Sequence, residues 1–272
     1  MAACLSALWG GVAVAQPEAP RIVSLDECAD QYALGLMPRE DILALSNHAR
    51  LPDSSFRDRA QGLRRVRPAL ETLLSLHPDA VIRSWGGDAK LIQALQRHGI
   101  KVIQLNDVSN YAQARDELLR VGGVLDEDAV ARIEAHRFDE ALKAISPFGK
   151  GRTVLYYTPS GYTAGPDTMP GDMLQKLGFR LETQDKGFPY ISPELLLSLQ
   201  PDVFALGFYD DAYGMQHTPG RHPLVRAYIE QKPHFTLSKQ MLSCSGWFTA
   251  YDLLALSQTE AQAEVEKGAG RP

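Results

Sequence analysis

A stretch near the start of the chain is repeated near its end. Residues 68–84 read PALETLLSLHPDAVIRS and residues 192–207 read SPELLLSLQPDVFALG, and their shared Glu, Leu, Ser, Pro and Asp positions keep one constant offset. In each copy we predict a short helix that ends before the proline, because the residue preceding a proline disfavours helical dihedrals. The apolar run after each Pro-Asp pair predicts a buried strand. The repeat therefore predicts the same helix and strand in each of two α/β lobes.

The segments around the two copies support this organisation. Short β-rich runs alternate with amphipathic helical patterns of about ten residues, as expected for parallel strands covered by helices. We therefore predict an α/β fold of two Rossmann-like lobes with parallel sheets, joined by a long helix in a stretch that shows no strand pattern. The predicted divisions are a signal peptide at 1–15, a first lobe at 16–121, the connecting helix at 122–150, a second lobe at 151–257 and a flexible tail at 258–272.

The first residues of the chain have the composition of a secretion signal. They are apolar and uncharged, and they end in the small-x-small triplet Ala13-Val14-Ala15. This is typical of the apolar core and cleavage site of a signal peptide, although the basic residues that usually precede the core are missing. A lipoprotein signal ending at Cys4 fits less well, because the apolar stretch follows that cysteine. A membrane anchor needs roughly 20 apolar residues, so we expect an exported, soluble, periplasmic protein.

Net charge bears on the kind of partner, and cysteine content bears on whether the protein holds a disulfide. The formal net charge of -5 argues against nucleic acid as a partner, since phosphates require a basic face. Removal of a signal peptide would leave two cysteines, Cys28 and Cys244. An even pair in an oxidising compartment suggests a disulfide, provided that the fold brings the sulfurs together.

The order of several short segments resembles a known family. RIVSL, LETLLSLHPDAVI, the Trp-Gly-Gly triplet at 85–87, HGIKVIQLND, YTAG at 162–165 and SPELLLSLQPDVFAL follow one another as in periplasmic solute-binding proteins of the helical-backbone class. These proteins serve ABC importers for cobalamin, iron-siderophores and haem. The resemblance covers about Arg21 to Ser257, and it is carried by the order and spacing of the segments together.

The resemblance implies two α/β lobes bridged by a long helix, with little hinge motion and a ligand clamped in the cleft between them. It also implies that an acid on the outer surface of each lobe docks onto an ABC permease dimer, which works with its ATPase. Glu71 and Glu194, the acids of the repeated stretch, occupy the matching positions. A two-fold symmetric partner would meet each lobe with the same charge pair. We expect a monomer without a resident cofactor, in contact with the membrane only through the permease.

In open α/β sheets, ligands bind outside the carboxyl ends of the strands, so the loops after the strands hold the candidate ligand-binding residues. Trp85 stands beside two glycines, which would keep the loop low while the indole offers a flat face to a large planar ligand. Cobalamin-binding members of the family place a tryptophan there. The second lobe offers Tyr162, Tyr190 and Tyr209, and Trp247 is an equally good candidate for a core residue.

Cys28 and Cys244 both fall on loops predicted to border the cleft, one from each lobe. A disulfide between them would lock the cleft and hinder ligand entry. We therefore favour two separate buried thiols, then contact of the thiols with a ligand, and we keep the bridge as a third alternative. Tyrosine with histidine or cysteine could instead coordinate iron or ligate haem, so the metal ligands stay open.

The leading hypothesis is a binding protein that delivers a metal chelate, a cobalamin-like corrinoid or an iron-siderophore, to an importer. Haem is the alternative ligand. An exported enzyme that uses Cys28 or Cys244 as nucleophile or redox thiol is the competing class, and a chelate sensor or scavenger without a permease is a third possibility. The sequence contains no phosphate-binding loop, no G-x-S-x-G elbow and no zinc-ligand spacing, so we expect no catalysis.

Overall fold

The computed structural model of the protein describes residues 20–209 and 218–269, with side chains as far as residue 261. The predicted signal peptide lies outside these residues. The expected α/β architecture is confirmed: the described part of the chain forms two parallel sheets with helices packed on them.

The first sheet has the strand order β3-β2-β1-β4-β5, and every neighbouring pair is parallel. The strands are β1 (Ile22–Ser24), β2 (Ile42–Ser46), β3 (Arg65–Val66), β4 (Ala80–Arg83) and β5 (Lys101–Gln104). The helices of this part are α1 (Glu27–Leu36), α2 (Leu70–Leu76), α3 (Ala89–Arg97), α4 (Tyr111–Val124) and α5 (Asp128–Ala144), with a 3-10 turn at Arg39–Asp41.

The second sheet has the order β7-β6-β8-β9 and is also parallel throughout. Its strands are β6 (Thr153–Tyr157), β7 (Arg180–Leu181), β8 (Val203–Gly207) and β9 (His234–Leu237). The accompanying helices are α6 (Met169–Lys176), α7 (Pro193–Ser198), α8 (Pro223–Glu230), α9 (Lys239–Ser243) and α10 (Thr249–Ala269), with a 3-10 turn at Pro219–Arg221. α10 thus continues through most of the segment that we expected to be a flexible tail.

The repeated stretch forms the same unit in each lobe. It supplies α2 and β4 in the first lobe and α7 and β8 in the second, and its leucines Leu73 and Leu196 are fully buried. The acid of each Pro-Asp pair accepts a backbone hydrogen bond from the start of the neighbouring central strand: Asp79 from Arg21 N at 2.8 Å and Asp202 from Thr153 N at 2.7 Å. The leucines and Pro-Asp pairs are therefore explained by packing and by strand registration.

The two lobes share one continuous apolar core. A single cluster of buried side chains includes Ile22 and Ile82 from the first sheet, Phe138 from α5, and Val154 and Phe235 from the second sheet. α5 packs against both α4 and α10. Because this core is continuous through the connecting helices, the lobes are held in one arrangement by packing.

A hydrogen bond adds to this connection. The backbone N–H of Tyr111, at the start of α4, donates to Asp172 Oδ2 on α6 at 2.9 Å. The Tyr111 ring is buried and packs against Phe138, with 5.8 Å between the ring centroids. Tyr111 therefore joins the first lobe, the connecting helix and the second lobe at one point.

Candidate functional site

The candidate site lies where the strand order of each sheet reverses direction. In the first sheet this switch point is between β1 and β4, and in the second it is between β6 and β8. The segments that follow these strands carry Cys28, in the first turn of α1, and Trp85, Tyr162 and Phe208 in loops. Open parallel sheets bind ligands at such switch points, and here the loops of both sheets border the same space.

A cavity of about 570 Å³ separates the two sets of loops. The first lobe contributes Cys28, Ser84 and the segment 105–109, and the second lobe contributes Tyr156, the segment 167–170, Gly187, Phe188 and Phe208. A second hollow of about 370 Å³ shares Phe188 and Phe208 with it and adds Tyr162. The two hollows therefore share an aromatic wall on the second lobe.

On the first lobe, the loop after β4 presents Trp85, whose side chain is 59% exposed. Ser84, its neighbour in the chain, lines the cavity. Gly86 is needed here because a Cβ would lie 2.5 Å from the Leu25 carbonyl oxygen, and Gly87 adopts a φ of +82°. This geometry agrees with the prediction that two glycines let the loop lie close to the sheet. The centroids of the Trp85 and His48 rings are 6.3 Å apart.

On the second lobe, an isolated antiparallel bridge brings Tyr162 and Tyr190 side by side. Their rings meet edge to face with 5.8 Å between centroids, and both are about half exposed. Gly161, with a φ of +87°, makes room for the Tyr190 ring, since a Cβ there would lie 2.7 Å from it. Tyr162 faces the cavity side, whereas Tyr190 lines a separate groove that also includes Glu194 and His222.

Two residues of this wall were not selected from the sequence. Phe188 is 54% exposed and lines both hollows. Phe208 also lines both and adopts a φ of +60°, which is costly for a residue with a side chain and is found mainly at functional sites. The Gly-Phe-Pro run at 187–189, an apolar ring between two turn-forming residues, was a usable sequence signal for Phe188. The backbone strain at Phe208 has no counterpart in the sequence.

Tyr209 and Trp247 do not lie in the cavity. The Tyr209 hydroxyl donates to the Gly220 carbonyl at 3.2 Å, and burial raises the pKa of this phenol. Trp247 is 0% exposed and packs edge-on against Tyr32 of α1, with 4.8 Å between centroids. Its close approach depends on Gly35 of α1, where a Cβ would lie 2.7 Å from the indole. Trp247 is a core residue and leaves the proposed ligand-binding set.

Cys28 and Cys244 form a disulfide, with 5.3 Å between their Cα atoms. The prediction that favoured two separate thiols is wrong, and the bridge that we kept as the third alternative is present. After β9 the chain returns to the first lobe, where Trp247 and Phe248 pack on Tyr32 and Phe56. The bridge therefore ties α1 to this returning segment at the wall of the cavity. Neither sulfur is free to act as a nucleophile or a ligand.

An acidic group lies directly beside the bridge. Burial, reinforced by the nearby charge of Asp53, raises the pKa of Glu27 to about 7, and Lys239 partly opposes this shift. Asp53 is buried and forms an ion pair with Lys239 at 3.1 Å, while Ser243 donates to it at 3.4 Å. The carboxyl of Glu27, next to the bridge, is therefore expected to titrate near neutral pH.

The outward acids of the repeat lie on equivalent helices. Glu71 is exposed in the first turn of α2, and Glu194 is exposed in the first turn of α7. The backbone N–H of Glu194 and the Ser192 hydroxyl lower the pKa of its carboxyl. Neither acid contributes to the cores of the lobes, so packing explains the repeated leucines but not the repeated acids.

Among residues 20–209 and 218–261, no group of three or more His, Cys, Asp or Glu side chains is arranged to hold a metal ion. In the same part of the chain, none of the helices has the length and apolar character needed to cross a membrane.

Comparison with known proteins identifies related sequences. The model of the periplasmic binding protein family matches residues 22–207. A cobalamin-binding protein of Halobacterium salinarum is 24% identical over 204 residues, which cover 71% of this chain and 55% of that protein. The same values hold for the corresponding protein of a second strain. The chain thus spans about half the length of the curated relatives it matches.

Solved structures share the fold. A possible iron-binding periplasmic solute-binding protein of Staphylococcus epidermidis superposes with a TM-score of 0.70 at 21% identity, covering 89% of this chain and 98% of that one. The periplasmic haem-binding protein HutB of Vibrio cholerae gives a TM-score of 0.68 at 19% identity, covering 88% and 98%. At these identities the likeness concerns the fold.

Proposed function

The chain belongs to the periplasmic binding protein family, and on that basis we propose that it captures a metal chelate in the cleft between its lobes for an ABC importer. The observation that carries this proposal is the cavity at the two switch points, which is lined by the exposed Phe188 of the second lobe and by Ser84, the chain neighbour of the exposed Trp85 of the first lobe. One exposed ring from each lobe, in or next to the cavity, suits a large ligand with flat apolar faces. The proposed ligand-binding residues are Trp85, Tyr162, Phe188 and Phe208, with Tyr190 at the edge of the wall.

The proposed ligand is a cobalamin-like corrinoid or an iron-siderophore, and haem is the alternative. The curated relatives are cobalamin-binding proteins, which supports a corrinoid. The similar solved structures include proteins described as iron-binding and as haem-binding, so an iron-siderophore and haem stay as candidate ligands.

A direct titration tests the ligand. Purified protein is titrated with cyanocobalamin, hemin and ferrichrome, following tryptophan fluorescence and the visible spectrum of the chelate. We expect saturable binding of one of them at one chelate per chain, with quenching of the fluorescence. If all three leave both signals unchanged, the proposal is contradicted.

We also propose that the protein works in the periplasm and delivers its ligand to a permease dimer with its ATPase. The Cys28–Cys244 disulfide supports an oxidising compartment. The exposed acids Glu71 and Glu194 provide one negative contact per lobe, which suits a partner with two-fold symmetry.

Charge reversal separates delivery from capture. In cells that depend on this chain for chelate uptake, the double variant E71K/E194K should lose uptake while the purified protein binds the chelate as before. The matched control E40K/D116K changes the same number of exposed acids elsewhere and should keep uptake. Normal uptake by E71K/E194K would exclude these acids from docking, as would equal loss in the control.

A further inference from the structure

We propose that Asp26 is the positioning residue of the candidate site: its buried carboxylate holds the loop that carries Trp85 in the geometry that meets the ligand. This inference rests on the proposed function, since it takes Trp85 to contact the chelate. Asp26 follows β1 and the Trp85 loop follows β4, so the two lie on either side of the switch point of the first sheet.

The contacts of Asp26 are unusually concentrated. Its Oδ2 atom accepts from three consecutive backbone N–H groups, those of Ser84 at 2.8 Å, Trp85 at 3.1 Å and Gly86 at 2.7 Å. Its Oδ1 atom accepts from Ala29 N at 3.0 Å and thereby caps α1. The side chain is 1% exposed. One residue therefore fixes the Trp85 loop relative to the helix that begins with Glu27 and Cys28.

The chemistry requires a carboxylate. Three N–H groups that converge on one point form an anion-binding concavity, and hydrogen bonds to a charged acceptor are stronger than those to a neutral one. Asparagine has one acceptor oxygen, so its NH2 group would face either the Trp85 loop or the Ala29 N–H. A donor would then oppose a donor in a buried place, where an unsatisfied group is costly.

Packing contributes little to placing Trp85, because the indole is 59% exposed. The hydrogen bonds of its backbone set the direction of the Trp85 Cα–Cβ bond, and with it the region that the ring can reach. A side chain that is already held in its bound position avoids part of the ordering cost that binding otherwise incurs. Weakening the Asp26 contacts should thus reduce affinity through Trp85, without removing any atom that touches the ligand.

The first test needs no ligand. The chain contains three tryptophans, so 5-fluorotryptophan labelling and 19F NMR can follow Trp85, whose resonance is assigned by its loss in Trp85→Phe. In Asp26→Asn we expect this resonance to shift and narrow as the loop gains mobility, while that of Trp247 is unchanged. An unchanged Trp85 resonance would overturn the proposal. If Asp26→Asn does not fold, Asp26→Glu, which keeps the charge but moves the oxygens by one methylene, is measured instead.

Asp30→Asn is the matched control. Asp30 lies in the helix that Asp26 caps, is also fully buried, and accepts from Ser46 N at 2.9 Å and Ser46 Oγ at 2.6 Å, so it holds the end of β2. This variant should be destabilised as well, but its Trp85 resonance should change less than in Asp26→Asn, because Asp30 reaches Trp85 only through Ser46 and His48. A Trp85 change of equal size in Asp30→Asn would reduce the role of Asp26 to general stability and contradict the proposal.

The second test is a double-mutant cycle with whichever of cyanocobalamin, hemin and ferrichrome binds the wild type. In the wild type, Asp26→Asn should weaken binding about tenfold. In the Trp85→Ala variant, the same substitution should weaken binding by less than about twofold, because the effects of two residues are not additive when one acts through the other. Equal losses in both backgrounds would overturn the positioning role. If none of cyanocobalamin, hemin and ferrichrome binds the wild type, the proposed function fails, and the NMR measurement still decides whether Asp26 holds the loop.

Discussion

At the scale of single residues, Glu27 links the charge of the site to pH. Burial raises its pKa to about 7 from an ordinary value of 4.5, so between these values the folded protein holds a proton that the unfolded chain has released. The stabilisation from the neutral carboxyl is thus complete below about pH 4.5 and is lost as the pH rises through about 7. Burial also raises the pKa values of Asp30 and Asp252 to about 6, which acts in the same direction.

Glu27→Gln keeps the shape of the neutral acid and removes its titration. We expect the variant to match the wild type at pH 4 and to exceed its free energy of unfolding at pH 8, by on the order of 1 kcal/mol because this partly exposed group is screened by solvent. Urea unfolding at several pH values measures this difference. The exposed acid Glu40 serves as control, and Glu40→Gln should leave the pH curve parallel to that of the wild type. An effect of Glu27→Gln that is the same at both pH values would contradict the assignment.

Gly86 tests the close approach of the Trp85 loop. In Gly86→Ala the new methyl group would meet the Leu25 carbonyl oxygen, and we expect a loss of about 1–3 kcal/mol in the free energy of unfolding. Gly123→Ala is the matched control, because that exposed helical glycine has its nearest contact at an ordinary 3.5 Å and alanine favours helix. Thermal denaturation measures the stability of both variants. A Gly86→Ala protein as stable as the control would show that the loop can move away freely.

Some residues of the candidate site could be selected from the sequence and others could not. Trp85 could be selected because the glycines that shape its loop are its neighbours in the chain. Phe208 could not, since its position at the cavity depends on a strained backbone directly after β8. Asp26 directly follows the loop-forming end of the first strand, but its role depends on three N–H groups at sequence separations of 58 to 60, which no local pattern encodes.

At the scale of elements, the Cys28–Cys244 bridge fixes α9 and the start of α10 to α1. It closes a chain segment with a sequence separation of 216, so its removal should increase the freedom of the unfolded chain considerably. We expect reduction with dithiothreitol to lower the free energy of unfolding by about 2–5 kcal/mol. The double variant C28A/C244A should show a similar loss and no further response to the reductant. Equal stability with and without reductant in the wild type would contradict this account.

The elements that the sequence predicts well are those with a local pattern. The central strands and most helices follow from apolar periodicity, and the repeated stretch indicated that α2 and α7 are equivalent. β3 and β7 were missed because a strand of two residues is too short to show alternation. The bridge was misjudged because the return of the chain from β9 to the first lobe is a tertiary feature, set by the packing of Trp247 against Tyr32 and Gly35.

At the scale of the whole molecule, the shared core predicts that the two lobes unfold together. Phe138 of α5 is 1% exposed and belongs to the cluster that includes both sheets. Phe138→Ala should cost about 3–5 kcal/mol and should speed amide exchange in β1 and β8 by the same factor. Leu224→Ala, on an exposed position of α8, is the control and should change neither strand. Faster exchange confined to one sheet would show that the lobes are separate folding units.

The central claim is that a chelate is held between the lobes, and substitution of one exposed ring from each lobe tests it most directly. Trp85→Ala removes the exposed ring of the first lobe, and Phe188→Ala removes that of the second. With the chelate that binds the wild type, calorimetric titration should show affinity reduced about tenfold by each substitution, or ~1.4 kcal/mol, with Leu224→Ala unchanged. Wild-type affinity in Trp85→Ala or in Phe188→Ala would contradict binding between the lobes.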